Sequence, residues 1–276
     1  MNLPGCEGAQ SGKNEKVLLD FFDGSGKLQR SEVAIATKSM NRILEPELLD
    51  ELPADDPRAV RSRRDLQRVN GWMGHARILK SIFSRSFPPG QAPKRIVELG
   101  AGDGTFLLEV ARRMAGSWPE VELLLVDRQN ILSQETMDQF GKFGWRARAV
   151  QGDVFAWLTR GEEADLLTAN LFLHHFQEDQ LIRMFEACAG RTGVFCALEP
   201  RRTKFGPLAR KLLWLIGCNA VTQHDAFVSI RAGFFGKELS QLWPAGPDWE
   251  LREWEAGFFS HALVAQKRAG ARERHP

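Results

Sequence analysis

Short, branched apolar runs alternate with stretches of helical periodicity through the middle of the chain, and this alternation predicts a parallel sheet covered by helices. The run RIVEL, bounded by Pro93 and Gly100, reads as a central strand, and Phe106, Leu107, Leu108 and Val110 as the apolar face of the next helix. Further strands are expected at residues 121–126, 147–151, 164–169 and 193–198, with two more at 249–255 and 258–265. Asp56 before Pro57 is a helix start, a capping side chain followed by a residue pre-set for the first turn. Val69, Trp72 or Met73, Ala76, Leu79 and Phe83 recur at helical spacing, so this helix is expected to run beyond Ile78. Arg58, Arg61, Arg63, Arg64 and Arg68 crowd its first half, either as a solvated face or as a means of recognising an acidic acceptor. Later in the chain, residues 212–216 form a mostly apolar stretch after basic residues, and a further helix is expected from Gly233. The stretch at 212–216 suits ordinary packing, a lid over a lipophilic or aromatic acceptor, or a helix resting on a membrane surface. Residues 1–39 are rich in Gly, Ser, Lys and Asn around an apolar island at 17–22. They read as a mobile extension or as an ordered helix over the site, with Met40 opening the domain.

The chemistry begins at VELGAGDGTF, residues 97–106, where Gly100, Gly102 and Gly104 follow the first strand. Glycines at this spacing let a ligand approach the backbone and permit positive φ where the chain turns. Glu98, just ahead, can accept hydrogen bonds from a cationic amino group or from loop amides. Asp127 closes the second strand, where a carboxylate can hold both ribose hydroxyls. Asp153 and Val154 follow the third, where a carboxylate can accept the exocyclic amine of adenine. Asn170 ends the fourth strand, facing the crevice that ligands occupy in such sheets. A glycine turn alone fits a ligand-free loop or a dinucleotide site, but the latter expects GxGxxG.

These ordered motifs resemble the class I methyltransferases that use S-adenosylmethionine, in particular small-molecule members of the type 11/12 kind, over residues 94–202 and more loosely to 266. The resemblance implies an α/β, Rossmann-like, seven-stranded and mostly parallel sheet with helices on both faces, closed by an antiparallel pair and preceded by a helical lid. It implies a lid at 40–92, a methyltransferase domain at 93–270 with a variable acceptor-binding insertion near 203–245, and a tail at 271–276. It assigns cofactor contacts to Glu98, Gly100, Ala101, Gly102, Gly104, Asp127, Arg128, Asp153, Val154 and Asn170. Some O-methylating members use the first histidine of a pair as general base, oriented by a carboxylate after the fifth strand; here that implies His174 and Glu199, with His175 a weaker candidate. A neutral imidazole can remove a hydroxyl proton, whereas an acceptor that is already ionised needs only positioning. The acceptor pocket is expected to draw on Trp72, His75, His174, Trp214 and His224. The implied reaction is methyl transfer to a small hydrophobic or aromatic acceptor, at oxygen first and carbon next, as in quinone and polyketide-type metabolism. A non-catalytic binder of the cofactor and a dinucleotide oxidoreductase are the competing readings.

Composition fits an ordinary enzyme: 276 residues, 43% hydrophobic and 26% charged. A net charge of +2 does not call for a nucleic-acid partner. Cys6, Cys188, Cys196 and Cys218 show no CxxC pair and no metal-like spacing, which points to reduced thiols, the cytoplasm and no metal. No run is long enough for a transmembrane helix, which leaves peripheral membrane contact open. A monomer or homodimer is expected. With no tyrosine, eight tryptophans and 18 phenylalanines, any aromatic pocket wall must be Trp or Phe. Asn170 is followed by Leu171 and Phe172, not by the two prolines of a DNA amino-methyltransferase.

Overall fold

A computed structural model describes residues 15–22, 28–35 and 41–268. The first two segments, within the stretch read as an extension, are strands β1 (Glu15–Phe22) and β2 (Leu28–Ile35), paired antiparallel. They belong to a compact unit, Met1–Asn41, separate from the unit Arg42–Pro276. Cys6 and the tail at 271–276 lie outside the described residues.

The larger unit is built on a seven-stranded sheet, ordered β5-β4-β3-β6-β7-β9-β8. Strands β3 (Arg95–Leu99), β4 (Val121–Asp127), β5 (Trp145–Gln151), β6 (Ala164–Asn170) and β7 (Thr192–Pro200) run parallel. Strands β8 (Trp249–Glu255) and β9 (Ser260–Lys267) form an antiparallel pair, and β9 runs antiparallel to β7. Ile96, Val97 and Leu99 are fully buried, because a central strand covered on both faces has no polar side to offer. Each contributes roughly 1.5–3 kcal/mol of burial. One core layer packs α3 (His75–Ser86), α4 (Thr105–Met114) and α5 (Gln134–Gly141) on the sheet, around Leu79, Phe83, Leu107 and Phe140. The other packs α6 (Val154–Arg160), α7 (Glu178–Ala189) and α10 (Glu238–Leu242), around Leu158, Phe185 and Trp243. Cys188, Cys196 and Cys218 are buried free thiols.

Two helices differ from expectation. The helix begun at Pro57 does not run past Ile78: α2 (Pro57–Met73) ends where Gly74 turns left-handed at φ 69°, its N–H returning to the carbonyls of Asn70 and Gly71. Helix α3 then restarts with Leu79, Ile82 and Phe83 in the core. No helix starts at Gly233, whose Cβ position lies 2.3 Å from the Pro200 carbonyl oxygen. Phe234 instead bridges to Arg201, and α10 starts only at Glu238. The region after β7 also forms α8 (Gly206–Leu215) and α9 (Ala220–Ala232), and α9 is buried on most sides between α8, α2 and the short α1 (Leu48–Glu51).

Candidate functional site

A cavity of about 1150 Å³ opens at the carboxyl ends of β3, β4, β5 and β6. On one side stands the glycine loop, with Gly100, Gly102 and Gly104 at φ of 71°, 57° and 72°. A Cβ on Gly100 would fall 2.1 Å from the Phe172 ring, so two conditions fix glycine there, the left-handed backbone and the close approach. Asp127 organises this loop. Its carboxylate accepts the N–H of Gly102 at 2.8 Å and that of Gln129 at 2.7 Å. Asp153 caps α6 through one oxygen, which accepts from Phe155 and Ala156. Ala101, Asp127, Arg128, Asp153 and Val154 all line the cavity.

Glu98 and Asn170 do not line it; they sit buried at the strand ends from which the loop and the cavity wall rise. The Asn170 amide donates to Glu98 Oε1 at 3.1 Å, while Glu98 Oε2 and Asn170 Oδ1 have no partner. Burial, with some help from the charges of Asp127 and Asp103, pushes the Glu98 carboxyl up to about 8. The unpartnered oxygens of Glu98 and Asn170 can accept from a cationic amino group, whose charge would offset burial and favour the Glu98 carboxylate. The loop, the two carboxylates on the wall and this pair together fit S-adenosylmethionine. Directly after Asn170, Leu171 has φ 53°, a left-handed non-glycine residue of the kind that costs about 1–3 kcal/mol and gathers at functional sites.

In the turn after β6, His174 meets Glu199. Glu199 is fully buried; one oxygen accepts the N–H groups of Phe172 and Leu173, and the other lies 2.8 Å from His174 Nδ1. A third residue, absent from the sequence reading, completes the chain: Glu47 Oε1 lies 3.1 Å from His174 Nε2 and also accepts from the Ser229 hydroxyl. Burial opposes charge on His174, but the flanking carboxylates outweigh it and raise the imidazole to about 9. The same contacts overcome burial at Glu47 and hold it at about 2. His174 is therefore an imidazolium with both nitrogens occupied. The His175 ring lies 4.3 Å from it, tilted by 33°, and is pushed down by burial and by the His174 charge. Donor atoms of Glu47, His174 and His175 lie within 4.8 Å of one another, a spacing within reach of a metal ion, although His174 is fully satisfied without one.

Glu47 arrives on a strap, residues 42–51, fastened at several points. The Arg42 guanidinium donates to the carbonyls of Ala232, His174 and Phe176 and lies over the Phe234 ring. Asp225 accepts the N–H groups of Leu48 and Leu49 at 2.8 and 3.0 Å. No local pattern marks Glu47 or Asp225, since their roles exist only once the strap meets α9. The wall beyond is apolar, with Leu44, Leu49, Val69, Leu213, Ile216 and Val228.

His75 and Trp72 lie on the cavity, His75 buried and Trp72 at its mouth. His75 Nε2 pairs with Ser260 Oγ at 2.8 Å, Nδ1 has no partner, and burial pushes the ring down to about 4. Trp214 and His224 are corrections, since neither lines the cavity. Leu213 takes the inward place on α8, which turns Trp214 into solvent, and His224 turns aside to Asp225 Oδ1 at 3.0 Å.

Residues 96–192 match the model of a methyltransferase domain family. No curated protein matches the chain in sequence. Among solved structures, the plantazolicin methyltransferase BpumL in complex with SAH superposes with a TM-score of 0.58 at 15% identity, over 78% of this chain and 92% of that one. An O-methyltransferase family protein from Burkholderia thailandensis gives 0.51 at 17%, over 79% and 62%. A putative O-methyltransferase from Nostoc punctiforme gives 0.50 at 15%, over 75% and 60%. Residues 96–192 thus carry a methyltransferase domain, on the fold of solved S-adenosylmethionine-dependent class I methyltransferases.

Proposed function

We propose that this enzyme transfers the methyl group of S-adenosylmethionine to a small hydrophobic or aromatic acceptor, at oxygen in preference to carbon. The observation that carries this reading is the apolar wall facing the glycine loop across one shared cavity. In this reading Gly100, Ala101, Gly102, Gly104, Asp127, Arg128, Asp153 and Val154 hold the nucleoside end of the cofactor, and Glu98 with Asn170 receives its amino group. The cofactor supplies an electrophilic methyl on a sulfonium; the chain supplies placement and exclusion of water. His174, charged and held at both nitrogens, is a positioning residue that ties the strap to the turn after β6, and Glu199 sets its ring. His75 lines the cavity, but burial pushes its ring down to about 4, which makes it a weak base and a wall residue, so an acceptor that reacts as its anion needs only placement.

A screen of phenols, hydroxyquinones, amines and carboxylates with methyl-labelled cofactor tests the acceptor class. Labelling of hydrophobic phenols is the expected result, and labelling confined to amines or polar acceptors contradicts it. His174→Ala should raise KM for the acceptor at least tenfold with kcat for an ionised acceptor little changed. His75→Ala should raise KM for the acceptor and leave the pH profile of kcat unchanged, as expected of a wall residue.

A further inference from the structure

Helix α8 stands beside the cavity and carries a second apolar face that the core does not use. Gly206, Ala209 and Leu213 are buried. Phe205, Leu208, Leu212 and Leu215 are 63%, 51%, 46% and 72% exposed. At 3.6 residues per turn these four fall within an arc of about 80°, one continuous outward stripe. Trp214, 68% exposed, lies about 100° round the helix from Leu215, outside this stripe. Scattered surface leucines need no explanation, but an aligned stripe on one helix does.

Charge separates this stripe from an ordinary sticky patch. Between Glu199 and Asp225 the sequence has no acidic residue, while it has Arg201, Arg202, Lys204, Arg210 and Lys211. Arg201 and Arg202 are used internally, paired with Glu255 and Glu238. Lys204, Arg210 and Lys211 are exposed, and none of them pairs with a carboxylate among the described residues. Arg61 of α2 adds a further cation, its guanidinium donating to the Gly217 carbonyl just past α8. On the same helical wheel Lys211 lies about 40° from Leu215, at the edge of the stripe, while Arg210 lies on the far side, so Lys211 with Lys204 just ahead of the helix supplies the charge beside the apolar face. Leu212 belongs both to the stripe and to the cavity wall, and the exposed Trp72 also lines the cavity, which places the mouth beside the apolar face. No helix among the described residues is long and apolar enough to cross a membrane.

We propose that the outward face of α8 is a membrane-docking surface that seats on a bilayer containing anionic lipid. The four apolar side chains enter the boundary between headgroups and acyl chains, and Lys211, on the edge of the stripe, with Lys204 just ahead of the helix and Arg61, meets the lipid phosphates. The docking rests on the exposed stripe and its charge. Its consequence, delivery of a lipophilic acceptor from the bilayer into the cavity mouth, rests on the acceptor class proposed above.

The test is co-sedimentation of the full chain with large vesicles of phosphatidylcholine and phosphatidylglycerol, beside vesicles of phosphatidylcholine alone. The mixed vesicles should take up the protein at least tenfold more strongly, and the preference should fade as salt is raised. The double variant L208Q/L215Q, which alters no cavity residue, should lose at least tenfold in vesicle affinity while binding S-adenosylhomocysteine like the parent. Lys211→Glu should weaken only the anionic preference. The proposal is overturned by absence of binding to the mixed vesicles at low salt, by undiminished binding of the double variant, or by a dimer in sedimentation velocity that the double variant splits. Vesicle binding is read without any acceptor, so a wrong acceptor class leaves this outcome unaffected.

Discussion

Burial raises the Glu98 carboxyl to about 8 and favours its protonated form, and one of its oxygens has no partner. A cationic amino group beside it reverses the balance and favours the carboxylate. Binding of S-adenosylhomocysteine should therefore release a proton between about pH 5 and 8. Calorimetry in buffers of different ionisation enthalpy measures this directly; Glu98→Gln should bind more weakly and show no buffer dependence. The Glu47 and His174 pair titrates in a different way. Glu47, held at about 2, contributes stability that is present above its unfolded value and is lost as pH falls through 2. His174, raised to about 9, contributes stability that is fully present below about 6.5 and is lost as pH rises through 9. The strap is thus fastened most firmly between about pH 4.5 and 6.5. Amide exchange over residues 42–51 should quicken, relative to segments without such a pair, as pH rises from 6.5 to 9.5. Glu47→Gln should remove that difference and destabilise the fold by about 1–3 kcal/mol, since the buried imidazole loses a charged partner.

At the scale of elements, the glycine loop is where conformation and ligand space coincide. Gly100→Ala meets both a left-handed φ and the Phe172 ring. It should lower stability by roughly 1–3 kcal/mol and weaken cofactor binding, seen as a drop in Tm and a rise in Kd. The strands of the sheet were legible in the sequence because each is a short branched run that must be buried, and β8 falls where the pattern placed it. The three glycines, Asp127 and Asp153 were legible because they close consecutive strands. The break at Gly74 was not, since a glycine inside helical spacing also fits an unbroken helix. Trp214 was misplaced because apolar residues on α8 look alike in sequence, and only the packing of Leu213 against α9 decides which face turns inward. Glu47 carries no local signature at all. Its partners lie 127 and 182 residues away, at His174 and Ser229, so its place depends wholly on tertiary structure.

For the molecule as a whole, the sheet presents one cavity with two dissimilar ends, a polar glycine-loop end for the cofactor and an apolar end beneath the strap and α8. Residues 1–41 form a unit of their own, and deleting residues 1–39 should leave Tm and cofactor affinity of the remaining domain unchanged. A truncated protein that precipitates or fails to bind would refute that independence. The account rests most heavily on the nature of the ligand at the glycine loop. Calorimetry of the full chain with S-adenosylhomocysteine and, separately, with NADH tests it most directly. One equivalent of S-adenosylhomocysteine should bind, Asp127→Ala should weaken it at least tenfold, and NADH should give no heat of binding. Saturable binding of NADH with none of S-adenosylhomocysteine would contradict the account.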